Sequence, residues 1–95
     1  MSYRGAIILL TLMIASCAAG PPVQEMSDAR QAIAAAEGSN AEALAPEQLS
    51  EARRLLEEAE SQLRDGTYVL ARGNAIRARS RAVEALQVSQ TASQE

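Results

Sequence analysis

Apolar residues recur at intervals of three and four along most of the chain, which is the spacing of an amphipathic helix. Three stretches show this spacing, at residues 24–37, 46–64 and 68–90. The apolar stripe of the first stretch consists of Met26, Ala29, Ile33 and Ala36. The stripe of the second stretch consists of Leu49, Ala52, Leu56, Ala59 and Leu63, with Leu55 beside it. The pattern predicts three helices.

Turn-forming residues separate these stretches. Gly38 is expected to stop the first helix. Ser39 and Glu42 then stand three residues apart, the spacing that caps a short helical turn. Pro46 suits the first position of a helix. Between the second and third stretches stands the sequence Asp65-Gly66-Thr67, in which the glycine is expected to adopt a left-handed conformation.

These helices and turns predict an all-α fold, a small antiparallel helical hairpin or three-helix bundle. We expect the helical domain to span residues 25–90 and the polar residues 91–95 to form a disordered tail. The large apolar residues are few, so they support one small core and no second domain.

An internal echo links the first two helices, because "SDARQAIAAAE" at Ser27–Glu37 resembles "SEARRLLEEAE" at Ser50–Glu60. The offset of 23 residues would place the two stripes about 140° apart on one continuous helix. The chain must therefore fold back between them. The echo is either a tandem repeat that binds repeated ligands or a pattern kept for helix packing, and we favour packing.

The first sixteen residues have the features of a secretory signal. Arg4 precedes a ten-residue run, Ala6–Ala15, that is apolar except at Thr11. A membrane-spanning helix needs about 20 apolar residues, so this run is typical of a signal peptide rather than of a stable span.

The only cysteine, Cys17, ends this segment, and Ile14-Ala15-Ser16-Cys17 resembles the lipobox of bacterial lipoproteins. The resemblance implies cleavage after residue 16 and a diacylglycerol on the Cys17 sulfur, so that acyl chains hold the protein at a membrane. Ala18 stands where Asp would imply retention in the inner membrane, which implies the outer membrane, facing the periplasm. Residues 17–24 would be a short tether. Ordinary cleavage after Ala18 or Gly20 and an uncleaved anchor are the alternatives.

Composition gives no indication of an active site. The chain has no His, the commonest general base and metal ligand. Glu57, Glu58 and Glu60 cluster, but each has an Arg four residues away on the helix, at Arg53, Arg54 and Arg64. This spacing indicates a solvated, ion-paired face. We therefore expect no enzymatic activity, no metal and no cofactor. The net charge of −3 gives no reason to expect nucleic-acid binding.

The third helix carries the candidate interaction surface. One sector consists of small residues, namely Ala71, Ala75, Ala78, Ala82 and Ala85. A second line, Val69, Ile76 and Val83, recurs at sevens. We assign the alanine sector to the second helix. The line of sevens either packs against the first helix or remains open. Because the first helix is short, we expect the end with Val83, Leu86 and Val88 to contact a second copy or a partner.

Four arginines make the third helix locally basic: Arg72, Arg77, Arg79 and Arg81. They either complement the acidic second helix or contact an anionic lipid headgroup or envelope polymer.

The segments "SDARQAIAAAE" and "LAPEQLSEARRLLEEAESQLRDGTYVLARGNAIRARS" resemble the helical domain of unknown function 4398 of bacterial lipoproteins, over about Met26–Leu86. The resemblance implies a helical periplasmic module, followed in some relatives by an OmpA-like peptidoglycan-binding domain, which we do not expect here. It implies no activity and no functional residues.

Together these observations predict an outer-membrane lipoprotein whose helices act as a protein-interaction or structural module of the envelope. Its partners would be the membrane, through acyl chains on Cys17, and either an unknown envelope protein or a second copy. The alternatives are an accessory subunit of an envelope enzyme or transporter and, less favoured, a small membrane-active lipoprotein.

Overall fold

The computed structural model describes residues 20–95, so the predicted signal sequence and Cys17 lie outside the described residues. Four helices form: α1 (Val23–Gly38), α2 (Ala41–Leu44), α3 (Pro46–Arg64) and α4 (Tyr68–Ser93). There is no strand among residues 20–95, and the all-α fold is confirmed. The second and third predicted helices correspond to α3 and α4, and both begin at the predicted residue.

The buried residues show how the three long helices run. At one level of the bundle Met26 of α1 packs with Ala59 of α3 and Ala75 of α4. At the other end Ile33 of α1 lies in one cluster with Leu49 of α3 and Ala82 of α4. Residue numbers therefore rise together in α1 and α4 and fall in α3. The bundle runs up, down and up, with α1 parallel to α4 and α3 antiparallel to both.

The chain enters this bundle through a packed segment. Pro22 is almost fully buried. Its carbonyl oxygen accepts a hydrogen bond from the backbone N–H of Met26 at 3.0 Å. Helix α1 begins at Val23, so residues 23–24 of the tether expected at 17–24 are helical, and residues 20–22 form a short entry held against the bundle.

The crossover from α1 to α3 differs from the prediction in one detail. Helix α1 ends at Gly38, as expected, but Asn40 takes the left-handed conformation, with φ of 62°. Asn40 also precedes α2, and no side chain caps that helix, so the predicted Ser39–Glu42 cap is not formed. The left-handed residue turns the chain so that Ala41 and Ala45 become buried in the core.

The turn from α3 to α4 follows the prediction closely. Gly66 has φ of 79°, the left-handed conformation expected for it. Its backbone N–H donates to the carbonyl oxygen of Leu63 at 3.2 Å, and that of Thr67 donates to Gln62 at 2.9 Å. These are the two bonds of a Schellman motif, which satisfies carbonyls that the end of α3 would otherwise leave free.

Helix α4 is longer than predicted and continues to Ser93. Residues 91–93, expected in a tail, are thus helical. The hydroxyl of Thr91 donates to the carbonyl oxygen of Gln87 at 2.9 Å, the i−4 bond that Ser and Thr side chains form within helices. At 26 residues, α4 is about 39 Å long.

Alanine dominates the core. Most of the buried apolar residues are alanines, distributed over all four helices. Leu56 of α3 is only partly buried, yet it packs against every cluster of the core, whereas Leu55 is buried to 4% exposure. The inward face of α3 is therefore centred between these two leucines.

The two copies of the sequence echo use equivalent positions for packing. Ala29 and Ala52 are both buried, as are Ala36 and Ala59. One copy approaches α4 from α1 and the other from α3, which agrees with the packing interpretation of the echo.

Candidate interaction surface

Helix α4 has one fully buried face and one open face. The five residues of the alanine sector, Ala71, Ala75, Ala78, Ala82 and Ala85, have no exposed surface. On the other side, Val69 is 81% exposed, Ile76 51% and Val83 36%. Buried alanines are common, but Val and Ile are also among the residue types most often buried, so the exposure of these three large side chains is the unusual feature.

Two helices, α1 and α3, pack against the alanine sector. This corrects the sequence-based assignment of the sector to the second predicted helix, now α3, alone. Ala75 contacts a cluster with Met26 of α1 and Ala59 of α3. Ala78 likewise lies with Ala29 and Leu55. Because alanine side chains are short, both helices approach α4 closely on the same sector. Helix α1 therefore leaves the line of sevens exposed, and the alternative in which α1 covers this line is wrong.

A cleft runs between α1 and α4 beside the line of sevens. Its volume is about 470 Å³, and it is lined by Glu25, Asp28, Ile76, Arg79, Ser80 and Val83. The α1 side supplies carboxylates, whereas the α4 side supplies two apolar side chains and one guanidinium. The cleft can therefore accept a segment that carries both an apolar group and a charge.

The far end of α4 is more covered than predicted. Leu86 is partly buried and packs against the core cluster that contains Ala41 and Ala45. Ser89 is fully buried, and its hydroxyl donates to the carbonyl oxygen of Ala85 at 2.8 Å. Helix α2 provides part of this cover, which the short predicted α1 alone could not. Of the expected open end, only Val83 and Val88 stay exposed, at 36% and 38%.

Arg72 bonds within the bundle, on the side of α4 that faces α1. Its Nε lies 3.3 Å from Oε1 of Glu25. Its Nη2 donates to the carbonyl oxygen of Gly20 at 2.8 Å. Both contacts are to the entry segment or the start of α1, so this arginine fixes where the chain enters the bundle.

The other three arginines of α4 do not form one patch. Arg79 lies in the cleft beside α1. Arg77 and Arg81 instead share a groove with Glu51 of α3. Arg81 pairs with Glu84 of its own helix at 2.8 Å. Their charges help to lower the pKa of Glu51, for which the hydrogen bond from Arg54 is the largest cause. This agrees with complementarity between α3 and α4 at a distance and gives no single anion site.

The charged face of α3 departs from simple pairing at four-residue spacing. Arg54 does pair with Glu58, at 3.2 Å, and with Glu51, at 3.0 Å. Arg53, however, reaches away from its own helix to Glu37 at the end of α1 and to Glu42 in α2. Hydrogen bonds from Arg53 lower the pKa of the Glu42 carboxyl.

Sequence reasoning missed both cross-element arginines, Arg53 and Arg72. Their partners lie up to 52 residues away along the chain, and no local spacing signals such a contact. For Arg53, the local sequence offered Glu57, one helical turn away, as a partner. That spacing favoured the wrong ion pair.

Within residues 20–95, no group of His, Cys, Asp and Glu side chains is placed to hold a metal ion. Likewise, none of α1 to α4 is long and apolar enough to cross a membrane. The site residues that can be described are therefore those of the open face of α4 and its flanking arginines, whereas Cys17 lies outside the described residues.

Comparison with known protein families matches most of the described chain to a family of unknown function. The model of the family DUF4398, a domain of unknown function, matches residues 24–95. No curated protein and no solved structure matches the chain.

Proposed function

Because this chain belongs to the DUF4398 family, whose function is unknown, we propose a role for it from its own surfaces. The protein is a helical interaction module of the bacterial envelope. A lipid on Cys17 holds it at the outer membrane, and the bundle faces the periplasm. Its binding surface is the open face of α4 where Ile76 and Val83 border the cleft, which we call the cleft face.

The exposure of Ile76 carries this proposal. It is a large aliphatic residue, 51% exposed, in the middle of a helix whose opposite face is completely buried. Val83 continues the same line one heptad further on and lines the same cleft. Apolar side chains that are grouped and rimmed by charged residues are typical of protein-binding surfaces. Glu25, Asp28 and Arg79 provide such a rim here.

The anchor rests on the sequence before the bundle. The apolar run Ala6–Ala15 and the lipobox-like Ile14-Ala15-Ser16-Cys17 support export and acylation. Two or three acyl chains hold a protein firmly at a membrane, because each buried methylene contributes about 0.8 kcal/mol. Ala18 supports the outer membrane as the destination.

Mass spectrometry of the mature protein tests the anchor. We expect a chain that begins at Cys17 and carries added acyl mass. A Cys17→Ser variant should keep residues 1–16 and stay unmodified. A mature chain that begins at Ala19 or Pro21 without acyl mass would contradict the proposal.

Photo-crosslinking in living cells tests the cleft face. A photoreactive residue in place of Ser80, which lines the cleft, should yield a discrete crosslinked species in the full-length lipidated protein. Ile76→Glu and Val83→Glu should each abolish that species, since a carboxylate on this face would lose an apolar contact and be desolvated. The matched control is Ala34→Glu on the exposed side of α1, which should leave it unchanged.

The mass of the crosslinked species identifies the kind of partner. A species of twice the chain mass indicates a second copy, and a heavier one an envelope protein. An enzyme or transporter in that species would make this chain its accessory subunit. Absence of any crosslink at Ser80, or equal crosslinking in all three variants, would overturn the assignment of the cleft face.

A further inference from the structure

We propose that the end of the bundle where α1 and α4 begin docks on the lipid surface. The contact is made by Val23, Val69 and Leu70, which we call the apolar tip. This inference rests on the proposed acylation of Cys17. It goes further, because it gives the bundle a defined orientation instead of letting it move freely on its lipid.

The three residues of the apolar tip are the most exposed large apolar side chains in the described chain. Val69 is 81% exposed, Val23 70% and Leu70 58%, and every other large apolar residue of the described chain is less exposed. All three belong to a first helical turn, of α1 for Val23 and of α4 for the other two. Nothing in the core requires large apolar side chains there, since Ala71 provides the inward contact at this level.

Helix geometry tilts these side chains toward the end of the bundle where α1 and α4 begin. The Cα–Cβ bonds of an α-helix tilt toward its N-terminus. Because α1 and α4 are parallel and both begin at this end, their first-turn side chains lean the same way. The side chains of Val23, Val69 and Leu70 therefore lean toward the end of the bundle at which both helices begin.

The entry segment brings this end close to the lipid. The carbonyl oxygen of Gly20 is held by Arg72 at 2.8 Å, and Pro22 is buried. Gly20 follows Cys17 by three positions, and an extended chain spans about 10 Å over three residue steps. Acyl chains on Cys17 would hold the first turns of α1 and α4 near the headgroups, within the depth that interfacial apolar side chains reach.

Charge at this end does not oppose the contact. Exposed Arg64 and Asp65 lie side by side at the end of α3. Glu25 and Arg72 pair at 3.3 Å. The four charges sum to zero, so neither sign prevents approach to a neutral or anionic surface.

A lipid surface fits the apolar tip better than a second copy does. Two copies anchored in one membrane would both have the apolar tip directed at the lipid. End-to-end contact between tips would require one copy to invert, which a tether of about 10 Å does not allow.

Tryptophan placed at the apolar tip tests the docking, because the chain has no native Trp. Full-length protein is produced in cells, purified in its acylated form and reconstituted in phosphatidylethanolamine–phosphatidylglycerol vesicles. Val69→Trp carries the probe at the apolar tip. Leu44→Trp, at the opposite end and 37% exposed, is the matched control. On vesicle binding, we expect the emission of Val69→Trp to shift to shorter wavelength. In vesicles made with brominated lipids, it should lose most of its intensity.

The control, Leu44→Trp, should show neither change. Its emission should instead be quenched by acrylamide in the water.

The outcomes separate this inference from the proposed anchor. Vesicle binding and acyl mass on Cys17, with both tryptophans equally open to acrylamide, would overturn the docking and leave the anchor intact. Absence of acyl mass would overturn both. A blue shift that depends on protein density, without quenching by brominated lipid, would show a contact between copies and also overturn the docking. A Leu70→Trp variant repeats the measurement if Val69→Trp does not fold.

Discussion

The Nη2 atom of Arg53 lies 2.9 Å from Oε2 of Glu37, and this ion pair joins the end of α1 to the middle of the first half of α3. The same nitrogen lies 3.1 Å from Oε2 of Glu42. Arg53 thus connects three helices across the crossover. The hydrogen bonds to Glu42 and Glu37 raise the pKa of Arg53 above its ordinary value, which already keeps an arginine protonated.

This cluster predicts a pH dependence of stability. The pKa of Glu42 is lowered in the folded protein, chiefly by the hydrogen bond from Arg53. A lowered folded pKa contributes stability that is present above the ordinary value of 4.5 and is lost as the pH falls through the folded value. Arg53→Gln should therefore reduce the free energy of unfolding above pH 4.5 and make its decline below that pH shallower.

Urea unfolding across a pH series measures this effect. Arg30→Gln is the control, because Arg30 is exposed on α1 and forms no ion pair among the described residues. The control should follow the wild-type pH curve. Parallel curves for wild type and Arg53→Gln would contradict the role assigned to Arg53.

The turn at Gly66 predicts opposite effects for two glycine substitutions. Gly66 has φ of 79°, and a Cβ there would meet no atom within 4 Å. Gly66→Ala should therefore cost about 1 kcal/mol, solely from the left-handed backbone. Gly73 also has open space around it but lies inside α4, so Gly73→Ala should stabilise the protein by about 1 kcal/mol. Thermal unfolding compares the two variants, and a change of the same sign in both would exclude the backbone explanation.

The shared alanine sector predicts sensitivity to side-chain size. Ala78 is fully buried between Ala29 of α1 and Leu55 of α3. Ala78→Leu should destabilise the bundle by about 1–3 kcal/mol, because overpacking pushes both neighbours away. Ala34→Leu, on the exposed side of α1, makes the same chemical change and should be nearly neutral. Chemical unfolding measures both, and a neutral Ala78→Leu would mean that α1 is not held against α4.

The contacts of Arg72 predict a local effect on the entry segment. Arg72→Gln removes the ion pair to Glu25 and the charged donor to Gly20. Amide hydrogen exchange at Met26 and its neighbours should accelerate about fivefold, which corresponds to about 1 kcal/mol for one lost hydrogen bond. Amides in the middle of α3 should keep the wild-type rate. The control is Arg79→Gln, on the same side of α4, which should leave the exchange rates of both regions unchanged. Faster exchange at Met26 in both variants would show that loss of positive charge, and not loss of the Arg72 contacts, causes the effect.

The sequence predicts the long helices well where the stripe and the terminating residue agree. Pro46 and Tyr68 begin helices as expected, and Gly66 provides the left-handed turn. The prediction fails at the crossover after α1. The local sequence does not show that Asn40, rather than the nearby Gly38, takes the left-handed conformation.

The sequence places the candidate surface on the third helix, at the line of sevens through Ile76, and this line is open in the structure. Periodicity alone cannot tell which of two apolar sectors faces the neighbouring helices. The alanine sector indicates the buried face more strongly than the line of sevens, because small residues allow two helices to approach one sector closely. Arg72 could not be separated from Arg79 by sequence, since their different partners depend on where the chain enters the bundle.

The bundle has three long helices, an odd number, so the chain enters at one end of the bundle and leaves at the other. The chain enters beside the first turn of α4 and leaves after Ser93, at the opposite end of a helix about 39 Å long. A hairpin of two helices would return the chain to its starting level. This bundle instead separates its two ends by the length of α4. Any label or domain fused after Glu95 would therefore lie about 39 Å from one attached before Gly20.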